Sequence, residues 1–295
     1  MSGPVIGIDV GGTFTKLVVL DAAGTPVDRS RIPTDDSPAR QLAADVAREL
    51  ARLEMLHGPA RVGVACPGLV RDDTVVWMRG RLEELQGLDW AAALGRSARV
   101  PVINDAQAAL AGEVALGAGR GCRDVVLLTI GTGVGGAVMC DGRVLRGHVG
   151  RAGHLGHMAV SAPGEKDIVN TPGSLEEAIG NCSIVRRTAG RCSDTAALVA
   201  AHRQGEAWAS AVWESSVQLL AAGIVSIVNA VDPARVILGG GIAMHAGESL
   251  LAPLRRWMDE YEWRPLGEGV EIVLAELGEE AGAIGAAAHA RESTA

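Results

Sequence analysis

The sequence predicts an α/β chain of two similar halves with a cleft between them. The main observation is a plan that occurs twice: strand, glycine turn, strand, Asp/Gly turn, strand. It runs first through Val5 to Val10, Gly11-Gly12-Thr13, Thr15 to Leu20, a turn at Asp21 to Gly24, and a return from Pro26 to Ile32. It runs again through Val125 to Ile130, a glycine-rich turn within Thr129 to Gly136, Ala137 to Cys140, Asp141-Gly142, and Arg143 to Leu145. Asp-Gly is a hairpin-turn dipeptide, so each glycine loop joins two strands. The second observation is size: 295 residues at 48 % apolar content suffice for two cores.

Between the hairpins, strand-length apolar runs alternate with helical periodicity. Leu42, Val46, Leu50 and Leu53 share one face of a helix predicted from Asp36 to His57, which Gly58-Pro59 ends. Arg61 to Ala65 is the next strand, and Val75-Val76 a short one; Met78 to Gly87 has no assignable period. A helix is expected from Asp89 to Ala98, a strand from Val100 to Ile103, and an Ala-rich helix from Ala106 to Leu116. In the second half, helices are predicted over Ser193 to His202 and Gly205 to Val231, with Asp232-Pro233 as the stop. Strand Arg235 to Leu238, helix Leu250 to Tyr261, strand Val270 to Leu274 and a helix from Glu279 complete the chain. With eight aromatics in all, Ala, Val, Leu and Ile must fill the cores.

Composition excludes several classes. Net charge is −8 without a basic cluster, which argues against nucleic acid as a partner. No apolar run approaches 18 residues and no charged-then-apolar leader opens the chain, so no membrane partner is expected. Cys66, Cys122, Cys140, Cys182 and Cys192 are scattered and form no C-x-x-C, as expected of reduced thiols in a cytoplasmic protein.

The chemistry concentrates at strand ends. Gly131-x-Gly133-x-x-Gly136 lets backbone N–H groups approach a ligand, as phosphate oxygens require. A Rossmann site would need a helix next, and a protein-kinase site a strand lysine; the chain has only Lys16 and Lys166. A glycine hairpin without ligand remains the alternative. Asp9, at the end of an apolar strand beside Gly11-Gly12-Thr13, reads either as a Mg²⁺ ligand through water or as a cap of its own turn. Asn104-Asp105 stands where a strand hands over to a helix, the usual edge for ligands in open α/β sheets. An N-cap aspartate explains it equally well; in either case the helix dipole should keep the carboxylate ionised.

In order, Asp9-Val-Gly-Gly-Thr13 with Lys16, Asn104-Asp-Ala106 continuing to Gly112-Glu113, Thr129 to Gly136, and Gly147-x-x-Gly150-x-Ala152-Gly153 leading to Gly156-His157 resemble the ROK family (repressors, open reading frames, sugar kinases). That family lies in the actin-like ATPase superfamily, and the resemblance covers nearly the whole chain. It implies an actin-like (ribonuclease H-like) duplicated fold of two domains closing on ATP and a sugar. These would be residues 1–117, completed by a C-terminal helix at 279–295, and residues 118–278. It assigns Asp9 to the Mg²⁺–phosphate end, Gly11, Gly12, Thr13 and Lys16 to a first phosphate loop, and Gly131, Thr132 and Gly133 to a second. Gly240, in Gly239-Gly-Gly241, falls on the adenosine side. Asp105 would be the base that deprotonates the attacking hydroxyl, with Asn104, His157 and Glu176 as sugar contacts.

The chain also departs from the family. His154 stands where the family has Glu, and Gln107 where it has Asn. The run Asp167 to Ser174 replaces C-x-C-G-x-x-G-C, so Asp167, Val169 and Ser174 occupy the three cysteine positions and no structural zinc is expected; zinc at His154 and His157 with Asp167 is the alternative. The expected function is an ATP:sugar phosphotransferase acting on a primary hydroxyl. Because His154 alters the donor and acceptor pattern, a modified ring (an amino sugar such as kanosamine, or a C7-cyclitol) is expected above glucose. An ordinary glucokinase and a catalytically silent sugar-binding regulator are the rivals. Family repressors carry a DNA-binding segment ahead of the first phosphate motif, whereas Asp9 here follows only eight residues. A homodimer is expected from the resemblance alone.

Overall fold

The structure, a computed structural model, describes residues 3–34, 39–80 and 82–293. Along the first part of the chain lie β1 (Val5–Val10), β2 (Phe14–Leu20), β3 (Pro26–Pro33), α1 (Ala39–His57), β4 (Arg61–Cys66), β5 (Leu69–Arg71), β6 (Thr74–Trp77), α2 (Trp90–Ala93), β7 (Val102–Asn104) and α3 (Asp105–Leu116). Then come β8 (Val125–Ile130), β9 (Val134–Cys140), β10 (Arg143–Val144), α4 (Leu175–Ile179), α5 (Ile184–Arg187), α6 (Thr195–Arg203) and α7 (Ala207–Val231). β11 (Arg235–Gly239), α8 (Gly240–Ala246), α9 (Glu248–Tyr261), β12 (Glu271–Leu274) and α10 (Ala281–Glu292) follow. Contacts divide the chain into one unit of residues 1–120, 146–151 and 277–295, and a second of residues 121–145 and 152–276.

The two units repeat one topology. In the first, the strand order is β3-β2-β1-β4-β7; in the second it is β10-β9-β8-β11-β12. Each sheet begins as an antiparallel three-stranded meander whose first strand pairs in parallel with a fourth strand, which pairs in parallel with a fifth. Hairpin turns suffice for the antiparallel pairs, whereas parallel pairs need the longer crossovers that the helices supply. The repeated hairpin in the sequence therefore marks a repeated sheet.

One predicted element differs, and two stretches fall partly outside the described residues. α1 begins at Ala39, and Asp36 lies outside the described residues. The helix expected from Asp89 to Ala98 is a single turn: Asp89 caps it by accepting the Ala92 N–H at 3.1 Å, and Gly95 at φ 64° ends it. Within Met78 to Gly87 the structure has one 3₁₀ turn, Glu83–Leu85, while Arg81 lies outside the described residues.

In the first unit, α1 covers one sheet face with Leu42, Val46, Leu50 and Leu53 against Ile6, Ile8, Val64 and Val102. The other face meets α10 at backbone distance. A Cβ on Gly7 would lie 1.8 Å from the Ala283 carbonyl oxygen, and one on Gly63 2.2 Å from that of Ala286. Where α10 crosses α3, a Cβ on Gly285 would lie 1.7 Å from the Ala108 oxygen. No side chain fits at these points, so the Gly/Ala run of α10 is what fixes α3, and with it Asp105, on the sheet.

In the second unit α7 is the central helix, burying Trp213, Val217, Leu220 and Ile224 in one core with Leu250 and Leu254 of α9. By length and composition α7 would be able to cross a bilayer, although the sequence shows no unbroken apolar run. Its buried face is the core of this unit.

Candidate active site

The first unit holds two carboxylates at strand ends. Asp9, near the end of β1, lies opposite Lys16 of β2 in register, so both side chains share one face of the sheet. Lys16 is also 3.5 Å from Glu279. Against Asp9 stands the start of α10, where a Cβ on Gly282 would come within 2.6 Å of the carboxylate. Only glycine leaves room there. Burial, then the negative charge of Asp105, push the Asp9 carboxyl up to about 7, with Lys16 opposing. Two mutually repelling, desolvated carboxylates form a donor set able to hold a hard divalent cation such as Mg²⁺.

Asn104 rather than Asp105 is the N-cap of α3. The Asn104 side-chain oxygen accepts from the Ala106 and Gln107 N–H groups at 3.1 and 3.2 Å. Its amide nitrogen donates to the Gly68 carbonyl at 3.0 Å and to Asp105 Oδ1 at 2.8 Å. The capping duty that made Asp105 ambiguous in the sequence thus belongs to its neighbour. Asn104 is buried and fully engaged, so it reads as the holder of Asp105 more than as a free sugar ligand. Burial raises the Asp105 carboxyl above the ordinary range, against the pull of the Ala106 N–H and the Asn104 amide. The helix terminus therefore does not dominate, contrary to the sequence expectation.

In the second unit, the β8–β9 turn is closed by the Gly131 N–H donating to the Gly133 carbonyl at 2.9 Å. Glu176 lies over it: Oε2 accepts the Val134 N–H at 3.0 Å, and a Cβ on Gly133 would come within 2.0 Å of that oxygen. Glu176, expected as a sugar contact, is thus first a brace for this turn. Gly131 and Thr132 line a cavity of about 250 Å³ with Asn181, Asp194, Gly241 and His245. Gly240 is not among its walls. Its positive φ of 86° and approach to Ile130, where a Cβ would lie 2.4 Å from the carbonyl oxygen, give it a packing role.

The histidines stand beside that turn. The His154 and His157 rings are near-parallel at 12°, with centroids 6.5 Å apart. His154 Nε2 is buried and has no hydrogen-bond partner among the described residues, and burial followed by the proximity of His157 lowers its pKa. His157 Nδ1 meets Asp167 Oδ2 at 2.9 Å. His157, Asp167 and Glu176 each offer a ligand atom within 4.8 Å of the others, a set able to hold a metal ion. It differs from the histidine-pair set considered from sequence, because His154 is not part of it.

Asp9, Lys16, Asn104 and Asp105 thus gather in one unit, and Gly131, Thr132, His154, His157 and Glu176 in the other. Sequence reading missed Gly282, Asn181, Asp194 and His245. The small-residue run from Ala281 is a signal that could have flagged Gly282; the other three have no local signature.

A solved glucokinase of the ROK family from Streptomyces griseus, in complex with glucose and AMPPNP, matches this structure with a TM-score of 0.79 at 28 % identity, covering 99 % of this chain and 100 % of that one. A glucokinase from Halalkalibacterium halodurans is 30 % identical over 311 residues, 95 % of this chain and 92 % of its own. An N-acetylmannosamine kinase from Escherichia coli O157:H7 is 29 % identical over 287 residues, 96 % of each. Duplicated sheets with a glycine turn at the head of each, together with these likenesses, define a sugar kinase of the actin-like ATPase fold. The ROK family model matches residues 5–293, and the chain belongs to the ROK family.

Proposed function

We propose that this kinase transfers the γ-phosphate of ATP to the primary hydroxyl of a hexose-like ring that carries an amino group, in preference to glucose. The observation that carries this reading is the unspent His154 Nε2 beside a group of acceptors. Asp167 is held ionised and can only accept, and its Oδ2 meets His157 Nδ1. Glu176 adds a carboxylate. An ammonium group brings only donors and a positive charge, which matches this set, whereas a hydroxyl brings one donor. A C7-cyclitol with the same primary hydroxyl is the other modified ring that the His154 replacement admits, and plain glucose is the alternative.

In this reading Asp105 takes the proton of the attacking hydroxyl. Its raised pKa makes it a stronger base than an exposed carboxylate, and Asn104 holds one of its oxygens in place. Mg²⁺, held by Asp9 through water, would neutralise phosphate charge when bound. Gly131 and Thr132 would receive the nucleotide phosphates. All five cysteines are free, in keeping with a cytoplasmic enzyme.

The test is an ADP-release screen over hexoses, amino sugars and cyclitols with parent and His154→Glu proteins. An amino sugar should have the highest kcat/KM in the parent, and His154→Glu should move preference toward glucose by roughly tenfold to a hundredfold, the worth of one misplaced buried polar group. A parent that favours glucose over every analogue, unchanged by His154→Glu, would refute the reading.

A further inference from the structure

Arg187, at the end of α5, hydrogen-bonds only to neutral acceptors among the described residues, although Glu177 and Glu165 line one cavity with it. Nε donates to Ser183 Oγ at 2.9 Å and Nη1 to Ser216 Oγ at 2.8 Å. Nη2 donates to the carbonyls of Ile179 and Gly180 at 3.2 and 2.9 Å. All four acceptors are neutral, while the adjacent Arg186 is paired with Glu177. Burial lowers the Arg187 pKa to about 10. A desolvated guanidinium bound only to neutral acceptors is costly, and capping a short helix would not need one.

What the guanidinium holds supplies a reason. Ile179 and Gly180 end α4 and open the turn that contacts the β8–β9 loop. In that turn the Asn181 N–H donates to the Gly131 carbonyl at 2.9 Å, and the Cys182 N–H to the Thr132 carbonyl at 2.7 Å. These bonds draw both carbonyl oxygens, which would repel an anion, onto protein donors. Gly131, Thr132 and Asn181 all line the cavity of about 250 Å³. A chain of hydrogen bonds thus runs from the guanidinium through one turn to the cavity wall.

We infer that Arg187 is a positioning residue for the nucleotide. It fixes the 179–182 turn that orients the glycine loop in front of the polyphosphate. The inference rests on the reading that nucleotide phosphates lie against Gly131 and Thr132. A general brace of the fold would affect ATP and sugar alike; a positioning role at the glycine loop falls on ATP alone.

The experiment compares Arg187→Gln, Arg187→Lys and Gly131→Ala with the parent, measuring Mg²⁺–AMPPNP binding by calorimetry and KM for ATP and for sugar. A Cβ on Gly131 meets no protein atom within 4 Å, so that variant crowds a ligand without disturbing the fold. Arg187→Gln should weaken AMPPNP binding about tenfold or more and leave the sugar KM unchanged, and Arg187→Lys should recover part of the loss. Equal effects on ATP and sugar, or none on ATP, overturn the inference. If Gly131→Ala weakens AMPPNP and Arg187→Gln does not, the inference fails alone; if neither does, the loop reading fails with it. Should Arg187→Gln not fold, Ser216→Ala removes a single bond and should weaken AMPPNP severalfold at constant sugar KM; no change there overturns the inference equally.

Discussion

Asp167 holds His157 from inside the protein. Its Oδ2 stands 2.9 Å from His157 Nδ1, while Oδ1 accepts the N–H groups of Val169 and Thr171 at 3.0 and 2.8 Å. The carboxylate is fully buried. Burial alone would push its pKa up, but donors from Thr171, His157 and Ser174 more than offset that and hold it below the usual carboxylate range. Two oxygens thereby tie the 167–174 loop to the histidine.

The protein should therefore fold without zinc. His157, Asp167 and Glu176 are three ligands, one short of a closed structural site, and the Asp167 oxygens already have donors. Elemental analysis after chelation should find well under one zinc per chain with an unchanged melting temperature. Asp167→Ala should cost about 1–3 kcal/mol in urea unfolding, because it strands buried N–H groups. A stoichiometric zinc whose removal unfolds the protein would contradict this.

Asp105→Asn should lower kcat by roughly 10²- to 10⁴-fold, the usual range for a lost general base, and leave AMPPNP affinity within about twofold. Asn104→Ala should also slow turnover, since it frees the Asp105 carboxylate. It should in addition destabilise the fold by about 0.5–2 kcal/mol through loss of the α3 cap, which Asp105→Asn would not do. Steady-state kinetics and urea titration of both variants separate the two roles.

Asp9 makes metal-free stability pH-dependent. Its folded pKa is about 7 against an ordinary 3.8, so between those values the folded state binds a proton that the unfolded state has released. The Asp9 contribution is complete below about pH 4 and is lost as pH rises to 7, at ~1.4 kcal/mol per pH unit. Relative to Asp9→Asn, the parent should lose stability from pH 5 to pH 7 and then level off. Mg²⁺ with AMPPNP should restore more stability at pH 8 than at pH 6. Parallel unfolding curves for parent and variant across this range would refute the assignment.

The sequence by itself determined the parts that local chemistry controls. Periodicity and turn residues placed both hairpins, the apolar face of α1, and the strand-to-helix junction at Asn104-Asp105, because each depends on neighbours a few positions away. Ordered motifs identified the family for the same reason: short stretches carry them. Tertiary structure decided what depends on groups distant in sequence. It gave the cap to Asn104 and left Asp105 available, since Gly68 supplies the acceptor that fixes the Asn104 amide. It turned Glu176 onto Val134, 42 positions away, and gave Gly240 a packing role against Ile130. It also placed Gly282 against Asp9 and buried Arg187 against neutral acceptors, because burial and partner identity are properties of the packed chain. A carboxylate's pKa belongs to that second group: at Asp9 and Asp105, desolvation outweighs every local term that the sequence displays.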